Sequence, residues 1–305
     1  NNPNSIASNF TRAIATDRNK NIWFGTKQGI SIYYPETKNW KHITNFKYQN
    51  TTLSDIVLAI QPDQDDMYVG TYNSGVFKIN INSLSSESIN SKYPNENILK
   101  KVYAVFKDDN NNLWFGGIEG DLTVIRADNS LKKYSTGAVR YITQTKNGLI
   151  YVAGRLGLFA INDEKSEISR ISEIAPNNST LAYSTINVVY EDQNNNLLLG
   201  TNGEGLIFYN PDNKTFKKLK MKDGFPSDIV QGFLAENYNN YWISTTKGLA
   251  NIKLSTKDTL VTTYDKNDGL ASTEYNYGSF NKLAPNKFAF GGIDGVSIFN
   301  PKKIK

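Results

Sequence analysis

One pattern recurs seven times along the 305-residue chain. Each copy has a polar turn, a short aromatic or apolar run that ends in a small residue, a loop closed by glycine, and a second apolar run. The small residues are Gly25, Gly70, Gly116, Ala153, Gly200, Ser244 and Gly291, and the loops close at Gly29, Gly75, Gly120, Gly157, Gly205, Gly248 and Gly295. Successive copies lie 37 to 47 residues apart, a spacing that indicates a repeat architecture.

Two further runs complete each copy. An apolar run lies upstream, as in "RAIATD" from Arg12, and a polar run lies downstream, as in "LKKY" at 131–134. Four short strands in roughly 40 to 45 residues are typical of one β-propeller blade. The sequence therefore predicts an all-β fold, a single seven-bladed β-propeller over residues 1–305 with four-stranded antiparallel blades. The upstream run would be the innermost strand, and lysines on the fourth strand would protect the outer edge.

Composition argues against several classes of function. The chain has no cysteine, which excludes disulfides and cysteine-ligated metals. The single histidine, His42, lies on a predicted outer strand, so there is no histidine pair for a metal and no serine–histidine–aspartate candidate. The net charge of +5 comes mostly from scattered lysines, so nucleic-acid binding is not expected. We predict no catalytic residue, no metal and no cofactor for this chain.

The stretch "NNNLWFGGIEGDL" at 110–122 allows three interpretations, namely a calcium loop, a phosphate loop or a β-hairpin. Asp108, Asn110 and Glu119 have the spacing of calcium ligands, but Leu113 stands where such a loop needs glycine for its sharp turn. A phosphate loop needs a helix behind it, whereas the next residues, "LTVI", predict a strand. The hairpin is therefore the preferred interpretation.

The repeat closely resembles the two-component regulator propeller repeat, whose blades follow the pattern D-x-x-G/N-x-L-W-F-G-T-x-x-G-L. The best matches lie at 17–30, 108–120 and 192–206. The fourth copy departs from the pattern at Ala153, and the sixth has "WIST" in place of "WFGT". Residues 274–304 resemble the closing blade of the sensor region in hybrid two-component histidine kinases of Bacteroidetes.

That resemblance implies a periplasmic sensor domain of an inner-membrane protein. It implies a preceding propeller, a following β-sandwich, a membrane span and a kinase in the same chain, and a homodimer whose arrangement is biased by ligand. The kinase chemistry would lie outside this segment. Propeller lyases of the streptogramin-inactivating type also resemble the fold, but that family depends on histidine and a metal.

The ends of the chain suggest a piece of a longer protein. The last copy supplies three strands and ends at "NPKKIK" without a clear fourth. The first residues, "NNPNSIASNFTRAIATD", read like the segment at 176–192, where a connection between blades runs into an innermost strand. We therefore expect no shared closing blade within this sequence.

Ligand binding is expected on the face that carries the loops between second and third strands and the connections between blades, because function on a scaffold concentrates in variable loops. Long connections at 45–55, 85–97, 172–184 and 265–277 reach this face. Candidate ligand-binding residues in the tight loops are Lys27, Tyr72, Glu119, Arg155, Asn202, Glu204, Lys247 and Asp294. Those at the mouths of the innermost strands are Arg12, Tyr103 and Arg140, with Asn187 and Gln231 beside them.

The chemistry of these residues favours a sugar. Aromatic rings stack on sugar rings, while guanidinium, amide and carboxylate groups hydrogen-bond hydroxyls with fixed geometry. The preferred hypothesis is an oligosaccharide ligand whose recognition regulates polysaccharide use. The alternative is a propeller that serves as a structural or protein-interaction scaffold, with a propeller lyase or glycosidase less favoured still.

Overall fold

The computed structural model describes residues 4–48, 51–96, 98–171, 184–255 and 258–304. Seven antiparallel sheets follow one another along the chain, and in each sheet the strands pair in sequence order. The innermost strands of successive sheets contact each other, and the first sheet contacts the seventh. These contacts close a ring, which confirms the all-β, seven-bladed propeller.

The strands of blades 1 to 4 begin and end as follows. Blade 1 contains β1 (Thr11–Thr16), β2 (Ile22–Thr26), β3 (Gly29–Tyr34) and β4 (Asn39–Ile43), and a separate hairpin follows it, β5 (Phe46–Tyr48) and β6 (Thr51–Leu53). Blade 2 contains β7 (Val57–Asp63), β8 (Asp66–Thr71), β9 (Val76–Asn80) and β10 (Ser86–Ser88). Blade 3 contains β11 (Ala104–Lys107), β12 (Leu113–Gly116), β13 (Leu122–Ile125) and β14 (Leu131–Tyr134), and blade 4 contains β15 (Val139–Gln144), β16 (Ile150–Gly154), β17 (Gly157–Asn162) and β18 (Glu167–Arg170).

Blades 5 to 7 complete the ring. Blade 5 contains β19 (Ile186–Glu191), β20 (Leu197–Thr201), β21 (Leu206–Asn210) and β22 (Thr215–Leu219), and blade 6 contains β23 (Val230–Asn237), β24 (Asn240–Thr245), β25 (Gly248–Leu254) and β26 (Thr259–Tyr264). Blade 7 contains β27 (Tyr275–Ala284), β28 (Lys287–Gly292) and β29 (Val296–Phe299). Single 3-10 turns occur at Asn90–Lys92, Met221–Asp223, Lys266–Asp268 and Pro301–Lys303. In the part of the chain described, no helix is both long and apolar enough to cross a membrane.

Blade 7 has three strands within residues 258–304, one fewer than each of the other six blades. It is joined to blade 1 by side chains instead of a shared sheet. Asn276 Nδ2 and Ser279 Oγ donate to the Thr11 carbonyl over 2.8 and 3.0 Å, and Asn281 Nδ2 donates to Thr16 Oγ1 over 3.0 Å. The four-strand prediction therefore holds for six blades, and the missing fourth strand of the last copy agrees with the sequence.

The glycine near the end of the second strand, present in five of the seven copies, is explained by packing between blades. A Cβ added at Gly116 would lie 2.6 Å from Val139 of the next blade, and one added at Gly25 would lie 2.6 Å from Val57 Cγ1. Real Cβ atoms do not approach other atoms this closely, so the glycines let the neighbouring innermost strand come near. The glycine that closes the following loop has a different role, since Gly29 has a φ of 83°, which favours glycine.

The stretch at 110–122 forms a turn, the strand β12 and a loop, as the hairpin interpretation predicted. Asp108 begins the turn and is 7% exposed. Its carboxylate accepts hydrogen bonds from the backbone N–H groups of Asn110 and Asn112 and from the indole Nε1 of Trp114. A carboxylate occupied by N–H donors serves as a turn cap, not as a calcium ligand.

Asp163, which follows β17, ties blade 4 to blade 3. Arg126 Nε and Nη2 donate to its two oxygens over 2.9 Å each, and the Tyr134 hydroxyl donates to Oδ1. Burial alone would raise the pKa of Asp163, but the hydrogen bonds from Arg126 and Tyr134 outweigh it and lower the pKa below its ordinary value. The ionised carboxylate is therefore the form that holds the two blades together.

Asp163→Asn is expected to lower the free energy of unfolding by about 2 kcal/mol at pH 7, because a hydrogen-bonded charge is lost beside Arg126. A lowered pKa in the fold means that this contribution is complete above the unfolded pKa of about 4 and disappears as the pH falls through the folded value. Urea unfolding at pH 7 and at acidic pH measures the difference. Asp212→Asn, at an exposed turn, is the control; an Asp163→Asn deficit that persists below the folded pKa would contradict the assignment.

Candidate functional site

The innermost strands carry a β-bulge at the end that faces the loops. Pairing with the second strand shifts between Thr11 and Ala13 in blade 1, and at the matching place in blades 2, 4, 5 and 6. In blade 7 a longer irregularity separates Tyr275 from Phe280. A bulge turns its extra side chain away from the regular alternation of the strand. The residues at this level are Arg12, Leu58, Tyr103, Arg140, Asn187, Gln231 and Tyr277.

Two arginines and two tyrosines at this level form a cluster, hereafter the channel-mouth cluster, made of Arg12, Tyr103, Arg140 and Tyr277. The Arg12 guanidinium carbon lies 4.0 Å from the ring centre of Tyr277 and 5.7 Å from that of Tyr103. The Arg140 guanidinium carbon lies 5.0 Å from the ring centre of Tyr277. The two tyrosine rings stack with centres 6.2 Å apart. Residues from four different blades thus meet at the mouth of the central channel.

Arg140 is held in place by amide side chains of the next two blades. It donates to Asn187 Oδ1. Asn187 Nδ2 in turn donates to the Val230 carbonyl over 2.9 Å and to Gln231 Oε1 over 3.2 Å. Asn187 is fully buried, so this chain of hydrogen bonds fixes the guanidinium before any ligand arrives.

The positive charge of the cluster is not balanced locally. Among the residues described, no carboxylate forms an ion pair with Arg12, Arg140 or Arg155. Burial lowers the pKa of Arg140, Tyr277 raises it, and Arg12 and Arg155 lower it again. The guanidinium carbons of Arg12 and Arg140 lie 4.0 and 5.0 Å from the same ring centre, so they are at most about 9 Å apart. Their repulsion is therefore at least about 2 kcal/mol at an effective dielectric constant of about 20.

A cavity lies behind the cluster in the central channel. Its volume is about 190 Å³, and Tyr103, Arg140, Tyr141 and Phe280 contribute to its wall. The rings of Tyr141 and Phe280 stack with centres 6.0 Å apart, and burial raises the pKa of Tyr141 to about 12. The cavity is smaller than the roughly 300 to 1,000 Å³ of pockets that enclose a whole ligand, so it has room for one substituent of a larger molecule.

Most predicted residues of the tight loops are engaged in local pairs. Glu119 Oε1 lies 2.5 Å from Lys101 Nζ, and that ammonium group lies 5.4 Å from the ring centre of Tyr72. Lys27 Nζ lies 4.4 Å from the ring centre of Phe10 and lines a separate cavity of about 500 Å³ between blades 1 and 2. These residues form separate local contacts, although Tyr72 and Lys101 are near enough to Tyr103 of the cluster to influence its pKa.

The remaining predicted residues are dispersed around the same face. Glu204 pairs with Lys218 and Lys220 over 3.3 and 3.1 Å, and Asp294 pairs with Lys266 over 2.8 Å. The other three are the exposed Arg155, Asn202 and Lys247. Of these, Arg155 is near enough to Arg140 to influence its pKa.

Three further sequence expectations concern residues outside the channel-mouth cluster. Residues 45–55 were predicted as a long ligand-facing loop, but Phe46 is fully buried and packs on Phe77 with ring centres 5.1 Å apart. Phe46 therefore anchors the start of this connection in the core. His42 lies on β4 as predicted and is half-buried, with Nδ1 3.1 Å from Ser31 Oγ. The insertion at 172–184 lies almost wholly outside the described residues.

Tyr277 is the site residue that sequence reasoning missed. The upstream run of the last copy, "GSFNKL", begins at Gly278 in the sequence, whereas β27 begins at Tyr275. The spacing does not identify it, because the corresponding residues of the other blades precede the small residue of their second strand by twelve or thirteen positions, whereas Tyr277 precedes Gly291 by fourteen. The longer irregularity in β27 accounts for the difference.

Comparison with known proteins agrees with the repeat. The family model described as two component regulator propeller matches residues 5–28. Histidine kinase P4 of Formosa agariphila is 27% identical over 331 residues, which cover 98% of this chain and 23% of that protein. The chain thus spans about a quarter of that curated relative.

Solved structures share the fold. The extracellular domain of the hybrid two component system BT3049 from B. thetaiotaomicron matches with a TM-score of 0.77 at 17% identity, over 96% of this chain and 40% of that one. The corresponding domain of BT4673 gives 0.77 at 17% identity, over 97% and 38%. Virginiamycin B lyase from Staphylococcus aureus gives 0.70 at 12% identity, over 96% and 94%.

At these identities the structural matches establish the propeller and nothing of its ligand. The repeat match and the histidine kinase relative carry the closer relationship. The resemblance stated from the sequence is confirmed: the chain carries the two component regulator propeller repeat, on a propeller like those in the extracellular domains of hybrid two-component systems.

Proposed function

We propose that this chain is an extracytoplasmic ligand-sensing propeller of a hybrid two-component histidine kinase, and that it recognises an oligosaccharide. The observation that carries the proposal is the convergence of Arg12, Tyr103, Arg140 and Tyr277 at the channel mouth. Polar and aromatic side chains held together on a rigid ring are what sugar recognition requires. The relatedness to a histidine kinase supports the signalling context.

The parent protein would place this propeller in the periplasm. It would add a second propeller and a β-sandwich from the same chain, and it would function as a membrane-anchored homodimer. A ligand shifts such a dimer only by binding one arrangement more tightly than another. The channel-mouth cluster supports this role, because residues from several blades would contact a single ligand.

Calorimetric titration with a panel of oligosaccharides tests the proposal. We expect direct binding to the 305-residue chain, weakened about tenfold by Arg140→Ala, since a fixed guanidinium donor is lost. Arg155→Ala should have a smaller effect because that side chain is exposed. The longer sensor region should bind the same sugars.

A scaffold role is the competing outcome. Under it, the longer sensor region binds a sugar, the 305-residue chain alone does not, and Arg140→Ala leaves the affinity of the longer region unchanged. That result would show that the sugar binds elsewhere in the sensor region and not to this propeller. Release of products from any panel member at low protein concentration would instead indicate an enzyme.

A further inference from the structure

Arg12 is the least compensated charge in the described part of the chain. Its side chain is 6% exposed, and among the described residues it has no ion pair and no hydrogen-bond acceptor. Its contacts with Tyr277 and Tyr103 are to the ring faces. A contact with a ring face leaves the N–H donors of a guanidinium available to an acceptor. The Arg12 nitrogens are not among the fully buried unpartnered atoms of the described residues, so they take their acceptors from water or from a ligand in the channel.

Arg140 adds a second set of donors to the same place. One of its N–H groups is used by Asn187, and the Asn187–Gln231 contact holds the guanidinium in one position. Both arginines contact Tyr277, so their charges reinforce one another at the channel mouth. Arg155 stands further out on the loop face and adds to the same positive field.

Neutral sugars do not require this arrangement. Hydroxyl groups are recognised by mixed donors and acceptors, whereas two guanidiniums without a nearby carboxylate offer donors and positive charge only. Planar forks of this kind match carboxylate and sulfate oxygens, which accept two N–H bonds at once. The oxyanion would lie at the channel mouth between the two arginines, because Arg140 but not Arg12 lines the cavity behind it. The sugar ring that carries the oxyanion would rest on the loop face.

We infer that the channel mouth binds the carboxylate or sulfate group of an acidic oligosaccharide, with Arg12 and Arg140 as its principal donors and Tyr103 and Tyr277 as the surrounding walls. This inference rests on the proposed function and specifies the ligand class. An uncharged glycan would offer hydroxyl oxygens to the two guanidiniums but no negative charge to balance them.

The test compares three trisaccharides of one backbone: trigalacturonate, galactotriose with 6-sulfate groups, and neutral galactotriose. Calorimetry on the 305-residue chain should show at least one acidic form binding about tenfold or more tightly than the neutral form. Arg12→Gln and Arg140→Gln should each weaken the acidic complex about tenfold. Arg18→Gln is the matched control, because Arg18 pairs with Asp65 near the opposite end of β1.

Two further measurements separate binding from folding. Arg12→Lys keeps the positive charge but loses the planar guanidinium that donates two parallel hydrogen bonds. The affinity of this variant for the acidic trisaccharide should therefore lie between those of wild type and Arg12→Gln. In the wild type, raising the salt concentration from about 50 to about 500 mM should weaken the acidic complex several-fold. Equal affinity for acidic and neutral trisaccharides would overturn the inference and leave the sensing proposal standing. Failure of all three sugars together with binding of a neutral oligosaccharide from the wider panel would also overturn only the inference. Failure of every acidic and neutral member of the panel to bind the 305-residue chain would overturn both.

Discussion

Gly200→Val is expected to lower the free energy of unfolding by about 3 kcal/mol, near the upper end for overpacking of a core. A Cβ at Gly200 would lie 2.6 Å from Val188 Cγ1, 2.8 Å from Val230 Cγ1 and 3.1 Å from Phe233 Cζ. These atoms belong to blades 5 and 6, so a larger side chain would push on its own innermost strand and on the neighbouring one. The interface between the two blades cannot relax without moving a strand.

Urea denaturation at neutral pH measures the effect. Gly200→Ala should lose less than Gly200→Val, and the ranking of the two variants reports the added volume. Ser244→Ala, at the matching place in blade 6, is the control: Ser244 is fully buried and its Oγ has no hydrogen-bond partner. Removing an unsatisfied hydroxyl should be neutral or stabilising. A Gly200→Val protein as stable as wild type would show that the close approach of the blades is not a constraint.

The fold could be predicted because the same local packing requirement recurs in every blade. Gly25 and Gly116 recur because every second strand is approached closely by the next blade. Lys20 and Asn111 occupy turn positions with φ of 65° and 63°, as expected of polar hairpin turns. These requirements act over a few residues, so they leave a mark in the sequence even when the blades differ in detail.

The candidate site could be predicted only in part. Arg12, Tyr103 and Arg140 were placed at the channel mouth from their position before an apolar run. Their contact with Tyr277 arises only when the ring closes and brings separate blades together. The spacing of residues within one repeat gives no information about that contact. The bulge in β27 also hid that residue, because the last innermost strand starts earlier than its apolar run suggests.

The tight loops show the opposite limitation. Glu119, Glu204 and Asp294 were predicted as ligand contacts because of their location on the loop face. The structure has them on that face, each paired with a lysine, and their contact with a ligand stays a prediction. Such pairs join side chains from separate turns or strands, and flexible lysines reach them through rotamer choices that sequence does not encode. Exposed pairs of this kind add little to stability and leave the loops open to a ligand.

Asp108→Ala should be the most destabilising change in the turns, with an expected loss of about 3 to 4 kcal/mol in the free energy of unfolding. The carboxylate accepts two backbone N–H groups, the Asn112 amide over 2.9 Å and the Trp114 indole over 2.7 Å. Trp114 is fully buried. Truncation therefore leaves an indole N–H without a partner inside the blade and releases the turn as well.

Blade 5 provides the matched control for this loss. Asp192 accepts the same turn bonds, from the backbone of Asn194 and Asn196 and from the Asn196 amide, but Leu198 stands where blade 3 has Trp114. Asp192→Ala should therefore cost about 2 kcal/mol. The difference between the two losses measures the aspartate–indole bond.

A double-mutant cycle isolates that bond directly. Trp114→Phe removes the indole N–H and keeps an aromatic ring against Tyr134, whose ring centre lies 5.9 Å from that of Trp114. If the bond acts as described, Asp108→Ala should cost less in the Trp114→Phe background than in wild type, by about 1 to 2 kcal/mol. Strict additivity of the two substitutions in urea unfolding would contradict it. The repeat's pairing of aspartate with tryptophan would then be a matter of turn formation and ring packing alone.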